Sequence, residues 1–372
     1  MAINNTDTGR LRGKRMLYDC GQWIRDLDRV SALLPELEEL RGKSVLITGA
    51  SGLICSAVAD ILFRYNDLRG GSVQVYAAGR SPERMEARFG DLVRRPDFHF
   101  VFFDACAAEA LPDVRADYII HGASSAYPAL YVREPVETMT SVFLGTKALL
   151  ETAKASGTRR LLMISTSEVY GQKQEERAAR EGEYGYIDLL NERNSYSVSK
   201  RAAETLCASY AAEYGVESVI VRPGHIYGPT AGRSDNRVSS AWAFTAARGE
   251  DIVMKSDGAQ IRSYCYAPDC ASAILKVLLR GEAGHAYNIS NPDSIISIRE
   301  MGEILAKAGG VRLKKETAGA EEKRGFNPMS NSSLESGSLE GLGWRGCFSA
   351  EEGLTHTVEI LKEVYGTERS GA

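Results

Sequence analysis

The feature that most constrains the fold is a repeated switch of hydrophobic period. Residues 44–48 (SVLIT) form a short, unbroken apolar run, Gly49, Ala50, Ser51 and Gly52 follow at once, and apolar residues then recur at helical spacing over 54–65. This reads as strand, glycine turn, helix. The unit recurs at 72–77 (SVQVYA), 98–103 (FHFVFF), 118–121 (YIIH), 160–165 (RLLMIS) and 218–222 (SVIVR), each run separated from the next by a helix-length segment. Runs without polar alternation suit strands covered on both faces. The predicted architecture is therefore doubly wound α/β, with helices on both sides of a mostly parallel sheet.

At 372 residues the chain exceeds one minimal domain. Residues 1–41 read as an N-terminal helical extension, because Trp23, Ile24, Leu27, Val30, Leu33, Leu34 and Leu37 recur at three- and four-residue steps, with Pro35 as the break. Residues 42–228 hold the strand–helix units. Residues 229–372 are assigned mainly to a smaller C-terminal lobe facing the substrate, with helices and short strands around 242–247, 270–279 and 298–308 and some segments returning to the sheet. A polar Gly/Ser-rich stretch over 327–341 precedes a last amphipathic helix near 351–365.

Composition removes several classes of function. With 45 Lys and Arg against 49 Asp and Glu, the net charge of −4 disfavours nucleic acid as the main partner, since phosphate neutralisation drives such binding. The basic residues Arg10, Arg12, Lys14 and Arg15 read as a solvated tail. Seven scattered cysteines with no C-x-x-C pair read as reduced thiols, and no apolar run is long enough for a signal peptide or a membrane span, so a cytoplasmic location is expected.

Two constellations carry chemistry. The glycine turn after residue 48 follows a strand and opens a helix, which lets backbone approach a pyrophosphate at a helix N-terminus; a tight corner without a ligand is the alternative. Tyr196 and Lys200 lie one helical turn apart, and an ammonium beside a phenol favours phenolate, lowering its pKa and giving a base for an alcohol proton. Residues 165–171 (STSEVYG) end the strand LLMIS on the side where open α/β sheets bind ligands.

Together with residues 121–124 (HGAS), 222–229 (RPGHIYGP) and 260–264 (QIRSY), these segments resemble the extended short-chain dehydrogenase/reductase family of nucleotide-sugar epimerases, dehydratases and decarboxylases over about residues 43–360. The STSEVYG and YSVSK pair is most similar to UDP-glucuronate decarboxylases, with hexose 4,6-dehydratases close behind. The resemblance implies a Rossmann dinucleotide-binding domain over 42–228 and a homodimer made by paired helices. It implies that Tyr196 takes the sugar C4 hydroxyl proton, that Lys200 tunes it and touches the nicotinamide ribose, and that Thr166 holds the same hydroxyl. Ser167 and Glu168 would lie near C5 and C6, with Ser124, His225 and Arg262 toward the rest of the substrate. Gly49, Ser51, Gly52, Leu53, Ile54, Arg80, Asp104, Ala123 and Pro223 would contact the cofactor, NAD or NADP, and no metal is required. Oxidising C4 turns a C6 carboxylate into a β-keto acid, which loses CO₂ before hydride returns. A 4,6-dehydratase and a 4-epimerase are the rival reactions, and a non-catalytic nucleotide-binding regulator is the rival class.

The match departs from the family pattern at several positions. Cys55 replaces the third glycine of the turn, which usually permits close helix–strand packing. At the second strand's end, 77–81 reads AAGRS where an aspartate often binds the ribose, so Arg80 and Ser81 could meet a 2′-phosphate. Asp104 is either an adenine contact or a helix cap. Val142 and His225 stand where asparagine is common.

Overall fold

The computed structural model describes residues 15–111, 113–124, 128–173, 175–316 and 329–366. Strands β1 (Ser44–Thr48), β2 (Gln74–Gly79), β3 (Phe98–Phe102), β4 (Tyr118–His121), β5 (Arg160–Ile164) and β6 (Ser218–Pro223) precede seven others. These are β7 (His225–Tyr227), β8 (Ile252–Met254), β9 (Ile261–Tyr266), β10 (Ala286–Ile289), β11 (Ile295–Ser297), β12 (Leu313–Lys315) and β13 (Asn331–Ser332). The main sheet is parallel throughout, in the order β10-β6-β5-β4-β1-β2-β3. The chain runs outward from β1 to β3, then returns to place β4 on the other side of β1. That reversal opens a crevice at the C-terminal ends of β1 and β4.

The main helices are α1 (Gly21–Ala32), α2 (Leu53–Arg69), α3 (Pro82–Phe89), α4 (Pro128–Arg133), α5 (Pro135–Ser156), α6 (Ser195–Tyr214), α7 (Val238–Ala247), α8 (Ala267–Arg280), α9 (Ile298–Gly309) and a C-terminal helix, Ala350–Tyr365. Alternate residues of each central strand feed different cores, as the pleat requires. Val45 and Ile47 pack into the core shared with α2 and α8, while Leu46 faces α5 and α6 with Ile119, Leu161 and Met163. The smaller sheet joins β11, β9 and β13, with β7 alongside β9, and the pair β8 and β12 stands apart.

Three expectations need correction. The second strand starts at Gln74 and not at residue 72, because Ser72 adopts φ +54°, a left-handed conformation no strand accommodates. The run 98–103 is not covered on both faces: β3 is the sheet edge, and Phe102 is 65% exposed. The segment 270–279, assigned to the smaller lobe, is the body of α8 and packs on α2, β5 and β6, so its apolar residues serve the main sheet. Of the basic tail, Arg10, Arg12 and Lys14 lie outside the described residues, whereas Arg15 pairs with Glu363 at 2.8 Å. All seven cysteines are free.

From Leu17 to Leu40 the extension is integral to the body. Proline at 35 restarts the chain as a 3-10 turn, Pro35–Leu40, after α1 ends. Trp23 is fully buried and donates its indole N–H to Asp60 at 2.9 Å. Asp26, also buried, accepts from Tyr266 (2.9 Å) and Gln22 (2.8 Å) and lies 3.1 Å from His356 Nδ1 on the C-terminal helix. The hydrogen bond to Asp26 lifts the His356 pKa above its ordinary 6.5. A raised histidine pKa adds stability that is complete below the unfolded value and disappears as pH rises through the folded one. Thermal melts should therefore show a stability loss as pH climbs from about 6.5, and His356→Gln should flatten that slope and cost about 1.5–3 kcal/mol at pH 6. An unchanged slope in the variant would remove His356 as its source.

Candidate active site

The crevice begins with backbone. Gly49 adopts φ +67°, and a Cβ there would sit 3.0 Å from the backbone of Gly122 and Ala123, so only glycine lets the β1 and β4 turns close on one another. The helix α2 starts at Leu53 with Gly52 as its N-cap and no side chain capping it. Among the described residues no acceptor meets the first-turn N–H groups of Leu53 and Ile54. An uncapped 17-residue helix aimed at the switch point is a fitting donor set for a pyrophosphate.

Cys55 does not obstruct this turn. Its buried thiol points at Gly122, where an added Cβ would meet the sulfur at 2.3 Å. The missing glycine in one segment is matched by a glycine in the other. Burial pushes the Cys55 thiol up to about 12, so it is neutral filling. Beneath it, Thr48 Oγ1 is 2.8 Å from His121 Nδ1 and accepts from the Ala123 N–H at 3.2 Å, tying the two strand ends together. Burial lowers the His121 pKa to about 3, leaving a neutral ring.

The side chains with chemistry gather over the ends of β4 and β5 and the start of α6. Tyr196 and Lys200 are both buried on α6. Lys200 donates to the Ile164 carbonyl at 2.7 Å, and its Nζ stands 5.7 Å from the centre of the Tyr196 ring. Burial lowers the Lys200 pKa to about 8, opposed mainly by the carboxylate of Glu204, one turn along the helix. The Tyr196 phenol corrects an expectation: its pKa lies well above 10.0, not below. Burial is the main cause and the charge of Glu168 the next, while the hydroxyls of Thr166 and Ser124 favour ionisation too weakly to reverse them.

Thr166 caps the 3-10 turn Ser167–Tyr170, accepting from the Glu168 N–H at 3.2 Å. This places Glu168 beside the phenol. One carboxylate oxygen, Oε2, accepts from Ser197 Oγ and pairs with Arg193, both at 3.1 Å. Ser167 opens the same turn, half-buried. Thus Ser124, Thr166, Glu168, Tyr196 and Lys200 come together.

Other expected contacts lie further out. Arg262 is 4% exposed, donates to its own neighbour Ile261 at 2.9 Å, and meets no carboxylate among the described residues. Burial alone lowers its pKa. A buried guanidinium without a counter-charge is a site waiting for an anion. His225, on β7 opposite Tyr264 of β9, is held by Ser332 at 3.3 Å, and burial followed by Arg262 drops its pKa to about 4. Pro223 ends β6. Asp104 accepts from the Cys106 N–H at 3.0 Å in a turn, not at a helix start, which corrects the capping alternative. Arg80 is exposed, but Ser81 is occupied: it caps α3 and donates to Glu83 at 2.6 Å. That carboxylate, in the first turn of α3, opposes a 2′-phosphate and favours the unphosphorylated ribose.

Sequence reasoning missed Arg193, Ser197 and Tyr131. Tyr131 lies flat on Tyr196, with ring centres 4.5 Å apart and planes 5° apart. Nothing in the local pattern separates Arg193 from a solvated arginine.

A tyrosine–lysine pair on a helix beside the switch point of a doubly wound parallel sheet defines a dinucleotide-dependent dehydrogenase/reductase architecture. The chain belongs to the NAD dependent epimerase/dehydratase family, whose model matches residues 45–290. It is 30% identical over 332 residues to UDP-glucuronic acid decarboxylase 1 of Xenopus tropicalis, covering 88% of this chain and 74% of that protein. With UDP-glucuronic acid decarboxylase 6 of Arabidopsis thaliana it shares 31% over 312 residues, covering 83% of this chain and 86% of the relative. Its fold matches dTDP-glucose 4,6-dehydratase DesIV from Streptomyces venezuelae, solved with NAD and TYD, at a TM-score of 0.73 and 24% identity, covering 87% of this chain and 98% of that one. The protein is thus an enzyme of a nucleotide-sugar family, and its cofactor is NAD. Among the described residues no helix is long and apolar enough to cross a membrane.

Proposed function

We propose that this chain decarboxylates UDP-glucuronate through transient oxidation at C4. The observation that carries the reading is the Glu168 carboxylate held beside Thr166 and Tyr196, because a 4-epimerase needs no second proton-handling group there. The names of the relatives at 30% and 31% identity support it. When bound, with its pyrophosphate at the α2 amides, oxidised nicotinamide supplies a hydride acceptor for C4 and a positive charge near the phenol.

The residues of the chain do the rest. In its phenolate form, which the bound cofactor's charge would favour against burial and Glu168, Tyr196 would take the C4 hydroxyl proton while Thr166 and Ser124 hold that oxygen and Lys200 keeps an ammonium below the ring. The C4 ketone leaves the C6 carboxylate β to a carbonyl. The C5–C6 bond then breaks, CO₂ departs, the electron pair enters an enolate, Glu168 with Ser167 governs proton return at C5, and the hydride removed from C4 would go back to it. Arg262 and His225 would face the diphosphate, whose charge the buried guanidinium matches.

A 4,6-dehydratase would use the same Glu168 to remove the C5 proton as water leaves C6, and is the second reading. Separate incubations with UDP-glucuronate, UDP-glucose and dTDP-glucose, followed by mass measurement, decide. The expected result is loss of CO₂ from UDP-glucuronate. Loss of water points to the dehydratase, an unchanged mass to the epimerase, and cofactor binding without turnover of any of the three to a non-catalytic regulator.

The same reading divides the chain into an extension (1–41), a cofactor domain (42–228) and a mainly substrate-facing remainder (229–372), in the cytoplasm. A homodimer is supported by α5, where Val136, Met139 and Phe143 form an exposed apolar stripe beside α6.

A further inference from the structure

We propose that Arg193 is a positioning residue that joins the two proton-handling groups of the site, holding Glu168 by one oxygen and backing the phenol of Tyr196 through the ring of Tyr131 stacked on it. The inference rests on the C4-oxidation reading and extends it to residues outside the YSVSK and STSEVYG motifs.

Three layers build the arrangement. The guanidinium carbon of Arg193 lies 5.1 Å from the centre of the Tyr131 ring, and that ring lies parallel to Tyr196 at 4.5 Å. The same guanidinium reaches Glu168 Oε2 at 3.1 Å, the oxygen that also accepts from Ser197. Both contacts fall on Oε2, so Oε1 keeps its lone pairs for another donor: it accepts no hydrogen bond from the described residues.

The geometry is locked from behind. Arg193 sits on the 3-10 turn Glu192–Asn194, whose cap Asn191 accepts from the Arg193 N–H at 3.0 Å. Asn194 donates to the Asp188 carbonyl at 2.9 Å, and Ser195 donates to the Tyr131 carbonyl at 3.3 Å, tying the turn to α4. Tyr131 is 2% exposed, so its ring has no room to tilt away from Tyr196.

Electrostatics gives the arrangement a consequence. The charged and titratable groups around the phenol are Glu168 from the turn after β5, Lys200 along α6, Arg237 before α7 and Tyr131 from α4, with Arg193 one layer out against Tyr131 and Glu168. After burial, Glu168 is the charged group that opposes ionisation of Tyr196, and Arg193 pairs with it at 3.1 Å. Removing the guanidinium therefore leaves a bare carboxylate facing the phenol, and removing the carboxylate leaves a bare cation.

The test is a four-cornered pH profile of C4 oxidation, read as the rate of nicotinamide reduction in single turnovers of the full-length enzyme with saturating sugar nucleotide. Arg193→Gln should move the midpoint of the activity rise up by about 0.5–1 pH unit and Glu168→Gln should move it down, while the double variant should return close to wild type. Lost packing alone cannot produce opposite shifts that cancel. In the same assay Tyr131→Phe should keep the rate and Tyr131→Leu should lower it about tenfold without changing KM. An unmoved midpoint in Arg193→Gln, or a Tyr131→Leu rate equal to wild type, overturns the proposal. The decarboxylase reading fails separately, if UDP-glucuronate reduces nicotinamide and keeps its CO₂, because the midpoint is still readable. No reduction with UDP-glucuronate, UDP-glucose or dTDP-glucose overturns both.

Discussion

Tyr196→Phe should lower kcat by about 10²–10⁴-fold and abolish nicotinamide reduction at neutral pH, with KM for the sugar nucleotide little changed. The substitution removes one oxygen and keeps the ring, so the parallel contact with Tyr131 survives. Thermal stability should hold, which separates lost chemistry from lost fold. The effect is large because the neighbouring groups are engaged elsewhere, Glu168 with Arg193 and Ser197. Lys200 is committed to the Ile164 carbonyl, and His121 is neutral and tied to Thr48. A variant retaining more than about a tenth of wild-type reduction would mean that another group takes the proton.

Glu168→Gln should produce a different failure. C4 oxidation and CO₂ loss continue, but proton return at C5 slows about 10²–10³-fold, so reduced nicotinamide and a decarboxylated enolate persist within one turnover. The amide can still accept from Ser197, yet it neither pairs with Arg193 nor accepts a proton. Quenched-flow measurement of CO₂ alongside absorbance gives both rates. Slowed nicotinamide reduction would place Glu168 in the oxidation step, and nicotinamide reoxidation at the wild-type rate after CO₂ loss would remove it from the reaction.

The parts of this site that were legible in the chain are those built from neighbours in sequence. The glycine turn, the strand end STSEVYG and the Tyr196–Lys200 pair each fit within one strand end or one helical turn, where spacing translates directly into geometry. The phenol's raised pKa was hidden because local spacing reports the nearby lysine and says nothing of burial or of Glu168. Arg193 and Tyr131 were hidden for another reason. Their significance arises only when α4 folds back on the turn before α6, a contact between segments more than sixty residues apart. The placement of α8 was misread because an amphipathic helix announces that it has an apolar face but not which sheet receives it. The anchoring of α1 was equally out of reach, since Asp26 meets its partner His356 across 330 positions.

The contact between Cys55 and Gly122 makes two positions far apart in sequence share one volume. The thiol at 55 lies where a side chain at 122 would stand, so a Cβ added at 122 would have to displace it. Neither position can therefore be judged from the glycine pattern of the turn alone; the pair has to be read together.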